Sequence, residues 1–530
     1  MGDLSGTGCI MDSGRVFLDP SGRKYRIKEP EPLLETPENL RIARETKPWG
    51  IYFRMLGTVL PSFFLMYTLL SLILGFTMLE PAVVLASGLC SAPLVFMILR
   101  LHRPRLLHVR LAVPDESGSE AHALPSGMSL RTPMKTSLSR FLVKDDSILD
   151  VPPIRQLWSI FGLTIAAGIA IAALILTVSE IYGQAIFILM AIPLWLVGFS
   201  LPVLAWWGTS NKLLGLPTRR RDAEAWLMAG MASAFPAFIF NSLIAPELVP
   251  FDAESWAWEL SLLAIGAPFC EEIFKAMAVV FFLPSIKGPK HGFQVGFTVG
   301  LGFALIENLQ YIGVSVFGGP VAVSMTILVR GIGSIPGHAI WTSIAGTAIG
   351  WKATDSDFKA RLKWRARSLA ISAIDLTEGL GLDMDGDGDL FGFDGSRQTL
   401  EEALSQPSIE GTSHGNEWSI IESTNPKEQR SDSVPVAWAS GFSLSFSNNS
   451  NTNSPTGINT PRGILPAIIL AIAGHSFWNG SSYLMYLAPT EWLGLSEIEG
   501  VAIVLTWTAI LISSLLLITR SIIRGINSLD

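Results

Sequence analysis

Cysteine and charge are both scarce in this chain. Its 530 residues hold three cysteines, Cys9, Cys90 and Cys270, too few and too scattered for a disulfide framework or a zinc knuckle. Charged residues make up only 16% of the sequence, against about 25% in an average soluble domain. The hydrophobic residues, 49% of the total, fall in long runs of the kind that cross a membrane. An ordinary soluble protein is thereby excluded. A cleavable signal peptide is not expected, because residues 1–48 are polar and charged. No apolar stretch precedes Cys9, which excludes a lipoprotein processing site, and Gly6 stands where a myristoylation signal needs Ser or Thr. No internal repeat is visible, which weakens an inverted-repeat transporter.

What is present is a series of apolar runs, at roughly 51–76, 79–101, 156–180, 183–208, 226–248, 258–283, 292–314, 320–351, 463–487 and 496–520. Lys and Arg are segregated between the connections. They crowd the N-terminal segment, the loop 102–155, the segments 209–225 and 284–291, the start of 352–462 and the C-terminal tail. The alternate loops 181–182, 249–257, 315–319 and 488–495 hold none. Since cytoplasmic loops carry the excess of Lys and Arg, the expected fold is an all-α membrane protein of about ten transmembrane helices with both termini cytoplasmic. The expected division is a cytoplasmic segment 1–48, five accessory helices over 49–255, a catalytic core in two parts, 256–351 and 463–530, and a polar cytoplasmic insertion 352–462. Within the soluble parts, residues 16–27 have the alternation and turn residues of a small hairpin. Residues 444–460 form a low-complexity polar linker.

Ionisable side chains at the bilayer centre cost roughly 2.5–3.5 kcal/mol each on insertion scales, so they mark function. Spans one to five and ten avoid them at mid-depth. Span six carries Glu271, Glu272 and Lys275, span seven Glu307 and Asn308, span eight Arg330 and His338, and span nine His475 and Asn479. Counted from the cytoplasmic end of each span at 1.5 Å per residue, Glu271, Glu307, His338 and His475 all fall at roughly 18–23 Å, which is one layer. Glu271 and Lys275 are four residues apart and share a helix face, as do His475 and Asn479. Glu271 and Glu272 point about 100° apart, so they can have different roles. Pro336 and Gly337, just before His338, should loosen the helix there. Arg330 lies nearer the outer surface and reads as a snorkelling or structural charge. Carboxylates with two imidazoles in a dry pocket suit hydrolysis, with a carboxylate as general base or with two His and one Glu as a zinc set. Asn or His donors can stabilise an oxyanion.

At these residues the sequence resembles the PrsW family of intramembrane proteases, which is related to the CAAX-processing and bacteriocin-processing membrane endopeptidases. The matching pieces are E-E-x-x-K at Glu271, Glu272 and Lys275, F-x-x-x-E-N at Phe303, Glu307 and Asn308, the region of His338, and H-x-x-x-N at His475 and Asn479. They stand in order on four consecutive spans. The resemblance implies hydrolysis of peptide bonds in membrane-anchored substrates. Glu271 or Glu272 would activate water, and His338 and His475 would serve as metal ligands or as acid/base partners. In the metal version Glu272, His338 and His475 are the candidate Zn²⁺ ligands. The implied partners are a membrane-anchored peptide and the lipid bilayer, with no nucleic acid. From another class, the same residues suit a proton or ion relay in a transporter; a non-catalytic membrane scaffold is the third reading.

A second motif lies in the insertion. Residues 383–394 resemble an EF-hand-type loop, with Asp383, Asp385, Asp387, Asp389 and Asp394 as candidate Ca²⁺ ligands and Gly388 at the turn. The closing Glu of such loops is Asp394 here, which weakens bidentate ligation.

Overall fold

The computed structural model describes residues 47–355 and 457–529, apart from positions 104–105, 125–128, 179 and 254. It also describes 15–18, 24–27, Leu40, Ser372 and 419–421. The acidic loop 383–394 and most of the 352–462 insertion lie outside the described residues. The chain divides into two compact units, a helical one and a β-rich one.

The helical unit begins with α1 (Pro48–Thr77) and α2 (Pro81–His102), then α3 (Ile154–Ile175), α4 (Glu180–Leu214) and α5 (Arg220–Ile239). Short helices α6 (Ala245–Leu248) and α7 (Trp256–Ser261) lead into α8 (Ala267–Val280) and α9 (Pro289–Ser315). After α10 (Gly319–Val329) and α11 (Ile335–Ala353) come α12 (Ile464–Leu487) and α13 (Glu497–Asn527). Pro48, Pro81 and Pro289 stand in the first turns of their helices, where the missing N–H would have had no intrahelical partner. Ser496 and Glu499 close a capping box at the start of α13. Among the described residues, eight helices are long and apolar enough to cross a membrane. The run Pro289–Ala353 counts as one of them although it contains α9, α10 and α11. The expectation of an apolar, helical membrane protein therefore holds.

Among the described residues four π-turns widen the helical runs, at Phe240–Ile244, Leu262–Gly266, Arg330–Ser334 and Ala488–Trp492. Each of the first three is followed two residues later by a proline, Pro246, Pro268 or Pro336. Proline lacks an N–H and its ring collides with the carbonyl four residues back, and a wider turn relieves both problems. The loosening expected beside His338 is thus found one turn earlier, in a form that often marks functional sites.

Helices α9 and α11 lie unusually close. A Cβ at Gly292, Gly296 or Gly300 would collide with the backbone of Gly346, Thr342 or His338 respectively. Stripes of small residues allow this approach, which in lipid replaces the hydrophobic drive to pack helices. It sets His338 beside α9, the helix that carries Glu307. On the other flank, Arg54 of α1 donates to Glu224 of α5 through Nε at 2.7 Å and Nη2 at 2.8 Å. His102 at the end of α2 approaches the same carboxylate at 3.4 Å.

The β-rich unit adds strands to the expected helical membrane protein. The segment expected to be a loop, 102–155, contains the long strands β3 (Leu106–Ala123) and β4 (Ser129–Lys144), paired antiparallel from Leu106 with Lys144 onwards. Leu107, Val109, Leu111 and Val113 alternate with polar or small neighbours and gather around Leu111, Phe141 and Val143; this is the period-two pattern of a strand with one covered face. β5 (Ser419–Ile421) adds to β3 as a third strand. The hairpin expected over 16–27 is present as β1 (Arg15–Leu18) paired with β2 (Lys24–Ile27).

Candidate active site

Four stretches of chain bring the ionisable residues together. Glu271, Glu272 and Lys275 come from α8, Glu307 and Asn308 from α9, Arg330 and His338 from the run joining α10 to α11, and His475 from α12. Glu271, Glu272, Lys275, His338 and His475 are buried, and Lys275 is fully so at 0% exposure. The single layer expected from counting residues is thus one cluster of touching side chains.

Lys275 is its hub. Nζ donates to Glu272 Oε1 at 2.6 Å and to His338 Nδ1 at 3.0 Å, and lies 3.6 Å from Glu271 Oε2. It also sits 4.2 Å above the centre of the Phe303 ring, which accounts for the phenylalanine of the second motif through a cation–π contact. Each imidazole is held by a carboxylate. His338 Nε2 is 2.6 Å from Glu307 Oε2, and His475 Nδ1 is 3.0 Å from Glu272 Oε1. Trp341 stacks flat on His475 with ring centres 4.5 Å apart. His475 can therefore neither tilt nor turn without losing the ring stack or the hydrogen bond.

Of the two roles expected for Arg330, the structural one fits: its Nη2 lies 2.6 Å from Glu307 Oε2, its Nε bonds Asn308 Oδ1, and its guanidinium covers the ring of Tyr311 at 4.1 Å. It starts the π-turn before α11, and depth counting alone could not show which helix it faces. Asn479 is placed differently from a partner of His475: its amide donates to the Leu263 carbonyl at 3.1 Å, in the π-turn before α8. The motifs missed Asn241, the second residue of the π-turn after α5. It donates to Glu271 Oε1 at 3.4 Å and accepts from Cys270 Sγ at 2.8 Å. The available signal was that Asn241 is the lone amide in the apolar run 226–248.

A cavity of about 320 Å³ opens onto Glu307, His338 and His475. Trp341, Trp478, Tyr311, Tyr483 and Tyr486 wall it with aromatic surface, and Arg330 and Asn479 supply polar atoms. The wall residues lie mostly on one side of the charged layer. Tyr311 follows Glu307 on α9, Trp478 to Tyr486 follow His475 on α12, and Arg330 and Ser334 precede His338. The cavity thus extends toward the ends of α9 and α12 that lead into 315–319 and 488–495.

Three carboxylates, Glu271, Glu272 and Glu307, face two fixed cations, Lys275 and Arg330. One negative charge is left over when all three carboxylates are ionised and both histidines are neutral. Glu271 Oε2 and Glu272 Oε2 are buried and accept no hydrogen bond, while the other oxygen of Glu272, Oε1, is shared by Lys275 and His475. One ligand atom each from Glu271, His338 and His475 lies within 4.8 Å of the others. Two imidazoles and a carboxylate are the donor types of a catalytic zinc site with an open position, and the spare negative charge suits a cation. By donor type the residues fit a metal, with Glu271 in the place expected for Glu272. The lone pair on His338 Nδ1 is the exception, because Lys275 already uses it.

Residues 223–374 match the family model described as PrsW family intramembrane metalloprotease. The match takes in the motifs of α8, α9 and α11 and bears out the resemblance they carry. No curated protein and no solved structure matches the chain. With the eight apolar helices, the match supports a multi-pass membrane protein with a region similar to the PrsW family of intramembrane metalloproteases.

Proposed function

We propose that the chain is an intramembrane endopeptidase whose reacting centre is Glu271 with His338 and His475. The observation that carries this reading is their convergence, with one ligand atom of each within 4.8 Å of the others, at a cavity of about 320 Å³ that exposes both imidazoles. A cavity of that size takes a side chain and a short length of backbone, and its aromatic walls suit an apolar transmembrane or juxtamembrane peptide.

In this reading Glu271 is the general base. Its Oε2 is buried and accepts no hydrogen bond, with Lys275 Nζ at 3.6 Å and His475 Nδ1 at 3.9 Å, so as a carboxylate it can accept a proton from a water set against the scissile carbonyl. The proton then passes to the departing amine. Glu272 and Glu307 each hold an imidazole in place, an orienting role typical of carboxylates around a reacting centre. Arg330 and Asn479 present donors to the cavity wall, where a developing oxyanion or the peptide backbone can be met. If a divalent ion is bound, Glu271, His338 and His475 would hold it, and it would polarise the carbonyl and acidify water. The basic loops support cytoplasmic termini; with that orientation the cavity faces the non-cytoplasmic half of the bilayer and the substrate enters from that side.

The test is cleavage of a membrane-anchored peptide library by the purified chain in proteoliposomes, with Glu271→Gln beside it. Cleavage by the parent and its loss in the variant are expected. Cleavage that persists in Glu271→Gln overturns the assignment. Ion flux without any cleavage would favour the transporter reading instead.

A further inference from the structure

A carboxylate can only accept hydrogen bonds and an ammonium can only donate them, and His338 lies between one of each. Glu307 Oε2 faces its Nε2 at 2.6 Å, and Lys275 Nζ faces its Nδ1 at 3.0 Å. Its ring is therefore the neutral tautomer with hydrogen on Nε2, and its one lone pair points at Lys275. That lone pair is the only one His338 could offer a metal without giving up Glu307. The ammonium also takes the near oxygen of Glu272 at 2.6 Å, lies 3.6 Å from Glu271 Oε2, and has no exposure through which to leave.

We propose that Lys275 is the site's own cation, and that its ammonium and a divalent metal compete for Nδ1 of His338. Lys275 is then a positioning residue. It supplies positive charge among three carboxylates and fixes the tautomer of His338 against Glu307. The inference rests on the endopeptidase reading only in concerning the same side chains. It predicts metal affinity whether or not peptide is cleaved.

The experiment is Co²⁺ and Zn²⁺ titration of the full chain in detergent, following the cobalt absorption bands and the bound metal after desalting. Lys275→Met keeps the bulk and removes the charge, while Lys275→Arg keeps the charge. Two unit charges a few ångströms apart in a partly buried site repel appreciably. Lys275→Met is therefore expected to bind either ion on the order of tenfold more tightly or better than the parent. Lys275→Arg should bind like the parent, and adding His338→Ala to Lys275→Met should abolish the gain. Equal affinity in parent and Lys275→Met, or no binding by either, overturns the proposal.

Should Lys275→Met fail to fold, solid-state NMR of the ¹⁵N-labelled parent decides. The Lys275 Nζ to His338 Nδ1 contact is expected without metal and should vanish on loading. A contact that persists with metal bound refutes the competition. Tighter binding by Lys275→Met alongside no cleavage by the parent would remove the endopeptidase reading and leave this inference standing. Equal affinities with cleavage intact would do the reverse.

Discussion

Two clusters of charge are buried in the helical unit, and they are built on opposite principles. Around Glu224 there is one carboxylate and a surplus of donors. Arg54 grips both oxygens at 2.7 and 2.8 Å, Arg220 lies 3.8 Å away, and His102 stands at 3.4 Å while bonding Thr58 at 2.7 Å. The cavity beside it is about 10 Å³, room for roughly one water. Around Lys275 there are three carboxylates for two cations, oxygens on both Glu271 and Glu272 that accept no hydrogen bond, and about 320 Å³ of adjoining space. Both sets of charge are desolvated, so burial alone does not separate structure from function. What separates them is whether the acceptors are satisfied and whether the unsatisfied ones lie near a space a substrate could fill. The first cluster ties α1, α2 and α5 together, and the second keeps reactive capacity in reserve.

The sharpest way to test that contrast is to neutralise one carboxylate in each cluster. Glu271→Gln should reduce cleavage by about 10²–10⁴-fold, the usual worth of a positioned base, and leave the unfolding midpoint unchanged or raised, because an under-compensated charge has gone. Glu224→Ala should do the opposite. It strands the Arg54 guanidinium without its bidentate partner, at an expected loss of about 3–5 kcal/mol in stability, while the folded fraction cleaves at the parent rate. Denaturant titration and turnover per folded molecule measure the two. If Glu224→Ala loses turnover without losing stability, the division between the clusters is wrong.

A smaller effect is expected where packing, rather than charge, holds the second cluster together. Gly300 sits where any Cβ would strike the carbonyl of His338. Gly300→Ala must push α11 away from α9 and loosen the contact of His338 with Glu307. Overpacking of this kind costs about 1–3 kcal/mol, and turnover should fall along with stability. Gly88→Ala, at a position with open space around it, is the control and should change neither.

The sequence made one of these clusters visible and hid the other. Glu271, Glu307, His338 and His475 stood out because a membrane helix tolerates few such residues, and a fixed rise per residue turns positions into depths. Arg54, His102 and Glu224 lie near the ends of apolar runs, where charges are common and draw no notice. For Arg330 the sequence leaves a snorkelling and a structural charge both open, since its direction depends on a π-turn that hydropathy does not reveal. The prolines at 246, 268 and 336 were readable as residues, but the wider turns before them were not. The strands of 106–144 were overlooked because a basic polar segment between two spans reads as a loop, although Leu107, Val109, Leu111 and Val113 alternate as a strand requires. Nothing in the motifs could distinguish Glu271 from Glu272. Only the positions of Lys275 and His475 show that Glu272 is already engaged.

The smallest effect is expected at the far rim of the cavity, where Tyr483 donates to Glu259 Oε2 at 2.6 Å. This bond joins α12 to α7 across the mouth of the cavity, and both partners are exposed, so water can replace either. Removing it should cost no more than about 0.5–1.5 kcal/mol, the net worth of an ordinary hydrogen bond. Tyr483→Phe keeps the aromatic wall and deletes only that link. If the rim merely gates entry, KM should rise by a small factor with kcat unchanged, because the groups around Lys275 are untouched. A fall in kcat of the size expected for Glu271→Gln would mean that the rim and the charged layer act as one unit, and the contrast between satisfied and unsatisfied carboxylates would then no longer locate the chemistry.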